Sequence, residues 1–135
     1  MKLLVIDDHP IVLEGFAALL QQIGADTTVL TARDAKKGLS ILDEHSDLDV
    51  VLLDLLLPGF SGHLAITEFG RRRPALPVIV LSSSEDVGDV RKALTAGALG
   101  YVPKSASPKT LLSAIRLVLD GEIYVPAMSC LDGAR

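Results

Sequence analysis

The chain of 135 residues carries 13 Lys and Arg against 17 Asp and Glu, a formal charge of −4, with 49% apolar and 22% charged residues. This composition fits one globular domain long enough to bury a core, and it excludes disordered and low-complexity chains. The acidic balance argues against nucleic-acid binding through a basic surface, and the single cysteine, Cys130, excludes a disulfide framework or a cysteine-based metal site within one chain.

Met1-Lys2 leads into the apolar "LLVI", which is shorter than a signal-peptide core and is followed at once by two aspartates. No apolar run approaches the roughly 20 residues that span a bilayer. A cytoplasmic chain with no membrane partner is therefore expected. In chain order, "KLLVI", "TTVLTA", "DVVLLDLL", "LPVIVLS" and "LGYVPK" read as strands, and their near-continuous apolar character suits a parallel sheet covered on both faces. Between and after them, "HPIVLEGFAALLQQIG", "RDAKKGLSILDEH", "GHLAITEFGRRR", "EDVGDVRKALTAG" and "SPKTLLSAIRLVLDG" read as helices. Pro10 and Pro108 stand where helices start, and Gly24, Gly97 and Gly121 where they stop. Strict alternation predicts a doubly wound (βα)5 domain of the α/β class. The fold expected is a flavodoxin-like three-layer sandwich with a five-stranded parallel sheet in the order 2-1-3-4-5. The domain is expected over residues 1–121, with 122–135 a C-terminal tail or the start of a linker.

Ligands of such sheets bind outside the carboxyl ends of the strands. Strand 1 ends in Asp7-Asp8, strand 3 in Asp54, strand 4 in Ser82-Ser83 and strand 5 in Lys104. Each has a plain structural reading. Asp7 and Asp8 can cap the first helix, Ser82 with Glu85 fits a capping box, and a lysine at a strand end is commonly a solvated surface residue. Asp54 resists this treatment, because it interrupts the apolar run "VVLLDLLLPG", and burying a lone charge costs several kcal/mol, on the order of the transfer penalty, unless it is paired or binds metal. All four groups at one edge favour a site. Crowded carboxylates are relieved by a hard divalent cation such as Mg²⁺, and a carboxylate is also a nucleophile toward phosphorus. Lys104 and the Ser82 hydroxyl would then hold phosphoryl oxygens. "RRR" at 71–73 reads as a solvated helix end, and His9, His45 and His63 lack metal-ligand spacing.

"VIDDHPIV", "DVVLLDLLLPG", "PVIVLSS" and "GALGYVPKS" resemble, in order and spacing, the receiver domain of bacterial two-component response regulators, over nearly the whole chain to about Gly121. The resemblance implies that Asp54 takes a phosphoryl group from a phosphohistidine of a sensor histidine kinase. It implies Mg²⁺ held by Asp7, Asp8, Asp54 and the Leu56 backbone carbonyl, a switch hydroxyl at Ser82, a phosphate-binding Lys104 and an aromatic switch at Tyr101. "SPKTLLSAIRLVLDGEIYVP" resembles the end of receivers of the NarL/FixJ group, which continue into a LuxR-type helix-turn-helix. On that basis we expect a receiver excised from a longer transcription factor, with DNA bound only through the absent C-terminal domain. The alternative is a stand-alone or phosphorylation-independent interaction module. Apolar residues in excess of one buried stripe on the first helix (Ile11 to Leu20) and the last (Leu111 to Leu119) suggest a homodimer through one of these faces.

Aspartyl-nucleophile phosphatases resemble D-x-D, but the second position here is Leu56. A flavodoxin-like redox protein needs a phosphate-cradling loop, where this chain has the acidic "DDHP". Lys104 is followed by Ser105 where many receivers carry proline, and Ser84 stands two residues after Ser82. Leu56 replaces a side chain that is often polar in receivers and lies near the attacking water. Leu56→Asn is accordingly expected to speed loss of the phosphoryl group, measured as the decay of phosphorylated protein by intact mass. An unchanged or slower decay would refute the assignment.

Overall fold

Strands that are apolar at consecutive positions need cover on both faces, and the chain supplies it by returning each strand through a helix. The computed structural model describes residues 1–24, 26–55, 62–84 and 86–126. Strands β1 (Lys2–Ile6), β2 (Thr28–Ala32), β3 (Val50–Asp54), β4 (Val78–Ser82) and β5 (Gly100–Pro103) alternate with helices α1 (Pro10–Leu20), α2 (Ala35–Glu44), α3 (Gly62–Arg72), α4 (Val87–Ala96) and α5 (Pro108–Leu119). The sheet is parallel, as the alternation predicted, and its order β2-β1-β3-β4-β5 is the one expected of a flavodoxin-like fold.

The two faces carry separate cores. Leu4, Ile6, Val51, Leu53, Val80 and Tyr101 pack against Ile41 and Leu42 of α2, Ile66 and Phe69 of α3, and Val90 and Ala93 of α4. On the opposite face Leu3, Val5, Val50, Leu52, Ile79, Leu81 and Val102 meet Leu13 and Leu20 of α1 and Leu111, Ile115 and Val118 of α5. No helix of the described residues is long and apolar enough to cross a membrane.

Helix ends follow local chemistry. Asp34 accepts from the Lys37 N–H at 2.7 Å to cap α2, and Ser107 caps α5 by accepting from the Thr110 N–H at 3.2 Å. Gly97 and Gly121 adopt φ of 118° and 89°, left-handed values that end α4 and α5 and that L side chains rarely adopt. The plain structural reading of Ser82, as part of a capping box, is not met: Ser82 stays in β4, and Asp86 caps α4 by accepting from the Gly88 N–H at 2.7 Å. Its other member, Glu85, lies outside the described residues. Nor does either aspartate cap α1, whose N-cap is His9. The arginine run does more than close a helix. Arg72 bridges Glu68 and Asp43, at 2.9 and 2.7 Å, and Arg73 donates to the carbonyls of Leu42 and His45, so the end of α3 is tied to the end of α2.

After α5 the backbone returns to the sheet. The Tyr101 N–H donates to the Tyr124 carbonyl at 3.0 Å and the Tyr124 N–H to the Leu99 carbonyl at 2.9 Å, a parallel bridge on the outer edge of β5. The described part of 122–135 thus covers an edge whose backbone groups would otherwise lack partners.

Close approach sets the start of α3. A Cβ added to the buried Gly62 would overlap the backbone carbonyl of Leu55, just beyond β3, and backbone cannot give way as a side-chain tip can. Gly62→Ala is expected to destabilise by about 2–3 kcal/mol, lowering the melting temperature by on the order of 5–10 °C in a thermal scan.

Candidate functional site

Parallel register brings the ends of β1, β3, β4 and β5 to one edge of the sheet. Ile6 pairs with Leu53, Asp54 with Leu81, and Ser82 with Pro103, so the residues that follow each strand emerge side by side. Asp7 is fully buried and Asp54 is 1% exposed, which makes their charges dependent on local partners. The Lys104 ammonium supplies one: Nζ lies 2.9 Å from Asp7 Oδ2 and 3.0 Å from Asp54 Oδ2. Its own position is fixed by the backbone, where the Lys104 N–H donates to the Ser82 carbonyl at 2.8 Å.

On the other side of Asp7 stands His9. The His9 backbone N–H donates to Asp7 Oδ1 at 2.9 Å, and the imidazole Nδ1 lies 2.9 Å from Asp7 Oδ1 and 3.2 Å from Asp8 Oδ1. Asp7, Asp8, His9 and Asp54 each offer one ligand atom, all within 4.8 Å of one another. Among the described residues, Asp8 Oδ1 is buried without a hydrogen-bond donor, and the buried Asp7 Oδ2 is met by the Lys104 ammonium. Concentrated lone pairs of this kind fit a divalent cation, and the oxygen donors suit Mg²⁺.

Ser82 and Tyr101 occupy the face of the sheet toward α4. The buried Ser82 Oγ accepts from the Ser84 N–H at 3.0 Å. Tyr101 is fully buried and its hydroxyl donates to the Ser84 carbonyl at 2.8 Å, with the phenol pushed up by burial. Ser84 Oγ in turn donates to Asp89 Oδ2 at 2.7 Å, on the first turn of α4. The Tyr101 ring is therefore inside already, hydrogen-bonded to the segment that joins β4 to α4. Leu56, expected to offer its carbonyl to the metal, lies outside the described residues.

All the described site residues singled out in the sequence thus reach the carboxyl edge: Asp7, Asp8, Asp54 and Lys104 in direct contact or close proximity, Ser82 and Tyr101 beside them. Sequence reasoning missed two. His9, set aside for lack of ligand spacing, joins the carboxylates because it follows them directly and precedes Pro10 at the start of α1. Its adjacency to Asp7-Asp8 was the available signal. Ser84, noted only as a departure, links Ser82, Tyr101 and Asp89.

A doubly wound parallel sheet with an acidic, lysine-bridged carboxyl edge is the architecture of a CheY-like signalling domain. Residues 3–116 match the response regulator receiver domain, and the chain belongs to that family. It is 33% identical over 125 residues to the glycerol metabolism activator of Pseudomonas putida, and 36% identical over 127 residues to the transcriptional activator protein ExaE of the same organism. Each alignment covers 93% of this chain but only 57% and 58% of the relatives, so the chain spans less than two thirds of their length. Among solved structures it is similar to a LuxR family two-component response regulator from Aurantimonas sp. SI85-9A1, with a TM-score of 0.85 at 32% identity over 91% of this chain and 87% of that one. It is also similar to the isolated REC domain of RcsB from Salmonella enterica serovar Typhimurium in the presence of the phosphomimetic BeF3⁻, with a TM-score of 0.84 at 29% identity over 94% of both chains.

The pairing fixes the response to pH. Burial pushes the Asp7 carboxyl up, but Lys104 and then the His9 N–H and imidazole outweigh it and hold it below its ordinary 3.8. Burial pushes the Lys104 ammonium down, and Asp7 and Asp54 outweigh this to hold it above 10.5. Asp7 therefore contributes stability that is present above pH 3.8 and lost as pH falls through its depressed value. Lys104 contributes stability that is present below pH 10.5 and lost as pH rises through its elevated one. Urea unfolding across pH is expected to give a plateau between these limits. Lys104→Met should lower that plateau by about 2 kcal/mol and shrink its acid limb, since Asp7 then loses its cation.

Proposed function

We propose that the chain is a phosphorylation-activated switch in which Asp54 accepts a phosphoryl group from a sensor histidine kinase. The observation that carries this reading is the Lys104 ammonium held between Asp7 and Asp54 at the carboxyl edge, 2.9 and 3.0 Å from their oxygens. An Asp54 oxygen attacks phosphorus in line with the departing imidazole of the donor. The P–N bond breaks, its electron pair stays on the imidazole nitrogen, and a P–O bond forms to the carboxylate. Asp7, Asp8, Asp54 and the Leu56 backbone carbonyl are the groups assigned to Mg²⁺. When bound, that ion neutralises charge on the phosphoryl oxygens.

Lys104 gives one hydrogen bond to the transferred group once Asp54 carries it as an acyl phosphate, and the Ser82 hydroxyl gives another. Ser82 Oγ now accepts from the Ser84 N–H, so its reorientation as a donor toward the phosphoryl group pulls on the segment that also receives the Tyr101 hydroxyl. With Tyr101 inside, phosphorylation acts by holding the inward ring and the linked start of α4 in place. The output is altered association: a homodimer through the α1 or α5 face, and DNA binding through a C-terminal helix-turn-helix domain of the longer protein. Ile11, Leu117 and Leu119 leave apolar surface on those helices.

Incubation with a small acyl-phosphate donor tests the reading by intact mass. The expected result is a gain of one phosphoryl group that requires Mg²⁺ and disappears in Asp54→Asn. A folded protein that gains nothing would overturn it in favour of a phosphorylation-independent interaction module.

A further inference from the structure

His9 stands in the carboxylate cluster at distances that suit a ligand. Its Nδ1 is 2.9 Å from Asp7 Oδ1 and 3.2 Å from Asp8 Oδ1, and the four-residue set with Asp54 closes within 4.8 Å. Around an ion with bonds of about 2.1 Å, neighbouring ligand atoms lie about 3 Å apart and opposite ones about 4.2 Å, so the set already has nearly the size of a coordination shell. Lys104 engages the Oδ2 side of Asp7, which leaves the Oδ1 side to His9. Asp8 Oδ1, buried and without a hydrogen bond, faces the same imidazole. The ring is held close by its own backbone, whose N–H is bound to Asp7 Oδ1 with Pro10 following. His45 and His63 are outside this cluster, His45 being engaged instead by the Lys2 ammonium at 3.0 Å.

We propose that His9 is a ligand of this site, so that the acidic edge binds borderline divalent transition ions such as Co²⁺ or Zn²⁺ through an imidazole added to its carboxylates. The inference rests on the reading of this edge as a metal site. Oxygen donors alone suit Mg²⁺, whereas an imidazole raises affinity for the later first-row ions and adds little for a hard cation. His9 thus sets which ion the site prefers.

Calorimetric titration with Mg²⁺ and with Co²⁺, on the wild-type chain and on His9→Ala, tests this, with proton NMR of the Co²⁺-loaded proteins as a second readout. His9 is largely exposed and makes no side-chain cap bond, so the variant is expected to fold, and its thermal transition checks that. The variant should bind Co²⁺ at least about tenfold more weakly, since even outer-shell changes cost that much, while its Mg²⁺ affinity changes by less than about threefold. The wild-type Co²⁺ form should show a hyperfine-shifted, exchangeable imidazole N–H that the variant lacks. Equal changes for both ions, or none, would mean that His9 only hydrogen-bonds the carboxylates, and would overturn the inference while leaving the phosphoacceptor reading intact. A wild-type chain that binds neither ion would overturn both.

Discussion

Carboxylates crowded at the edge of an apolar sheet repel one another, and the site exists because one lysine holds two of them. Lys104 Nζ reaches Asp7 and Asp54 at about equal distance, from a strand that is separated from β1 by the whole width of β3 and β4. With water largely excluded from both carboxylates, the attraction is weakly screened, and removal of the cation takes away the ammonium that the two buried acids share. The ammonium therefore does two things at once. It makes the buried acids tolerable in the folded state, and it places a positive group beside the carboxylate assigned to accept the phosphoryl group.

The sheet sets that geometry. Parallel pairing aligns the strand ends, so a shift of one residue in any strand would exchange buried and site-facing positions. Both cores press on the strands that carry the acids, and the Gly62 approach to Leu55 keeps the start of α3 close to the end of β3. At the other end of the acidic edge, Ser84 joins the Ser82 hydroxyl, the Tyr101 hydroxyl and the first turn of α4. Tyr101 in turn gives its backbone N–H to Tyr124, so the strand bearing this buried aromatic is also the strand on which the segment after α5 rests. These contacts form a physically continuous path from the acidic edge to the exit of the domain.

Much of this was legible in the chain. Apolar runs bounded by Pro and Gly gave five strands and five helices within a residue or two at most ends, and strand–helix alternation gave a doubly wound parallel sheet. Asp54 could be singled out because a charge inside "VVLLDLLLPG" has no plain structural use. What failed did so for local reasons. Ser82 and Glu85 have the spacing of a capping box, but the hydrogen bonding of β4 holds Ser82 in the strand and leaves the cap to Asp86. Gly24 does end the first helical stretch, as the C-cap of the 3-10 turn Gln21–Ile23 that continues α1, although its φ of 178° is extended backbone open to any residue. The three arginines looked like a solvated helix end until the packing of α3 on α2 gave two of them partners.

By itself the sequence determined the class of fold, the edge at which chemistry gathers, and the residue types that gather there, because hydrophobic periodicity and strand-end position are properties of neighbours along the chain. Only the tertiary structure decided which side chains touch. That Lys104 bridges Asp7 and Asp54, that His9 stands with the carboxylates, and that Tyr101 already lies inside on the Ser84 carbonyl all depend on distances between segments far apart in sequence or on the turn of a single side chain. Pairwise electrostatics and hydrogen bonds act over a few ångströms, and no pattern along the chain specifies separations that small.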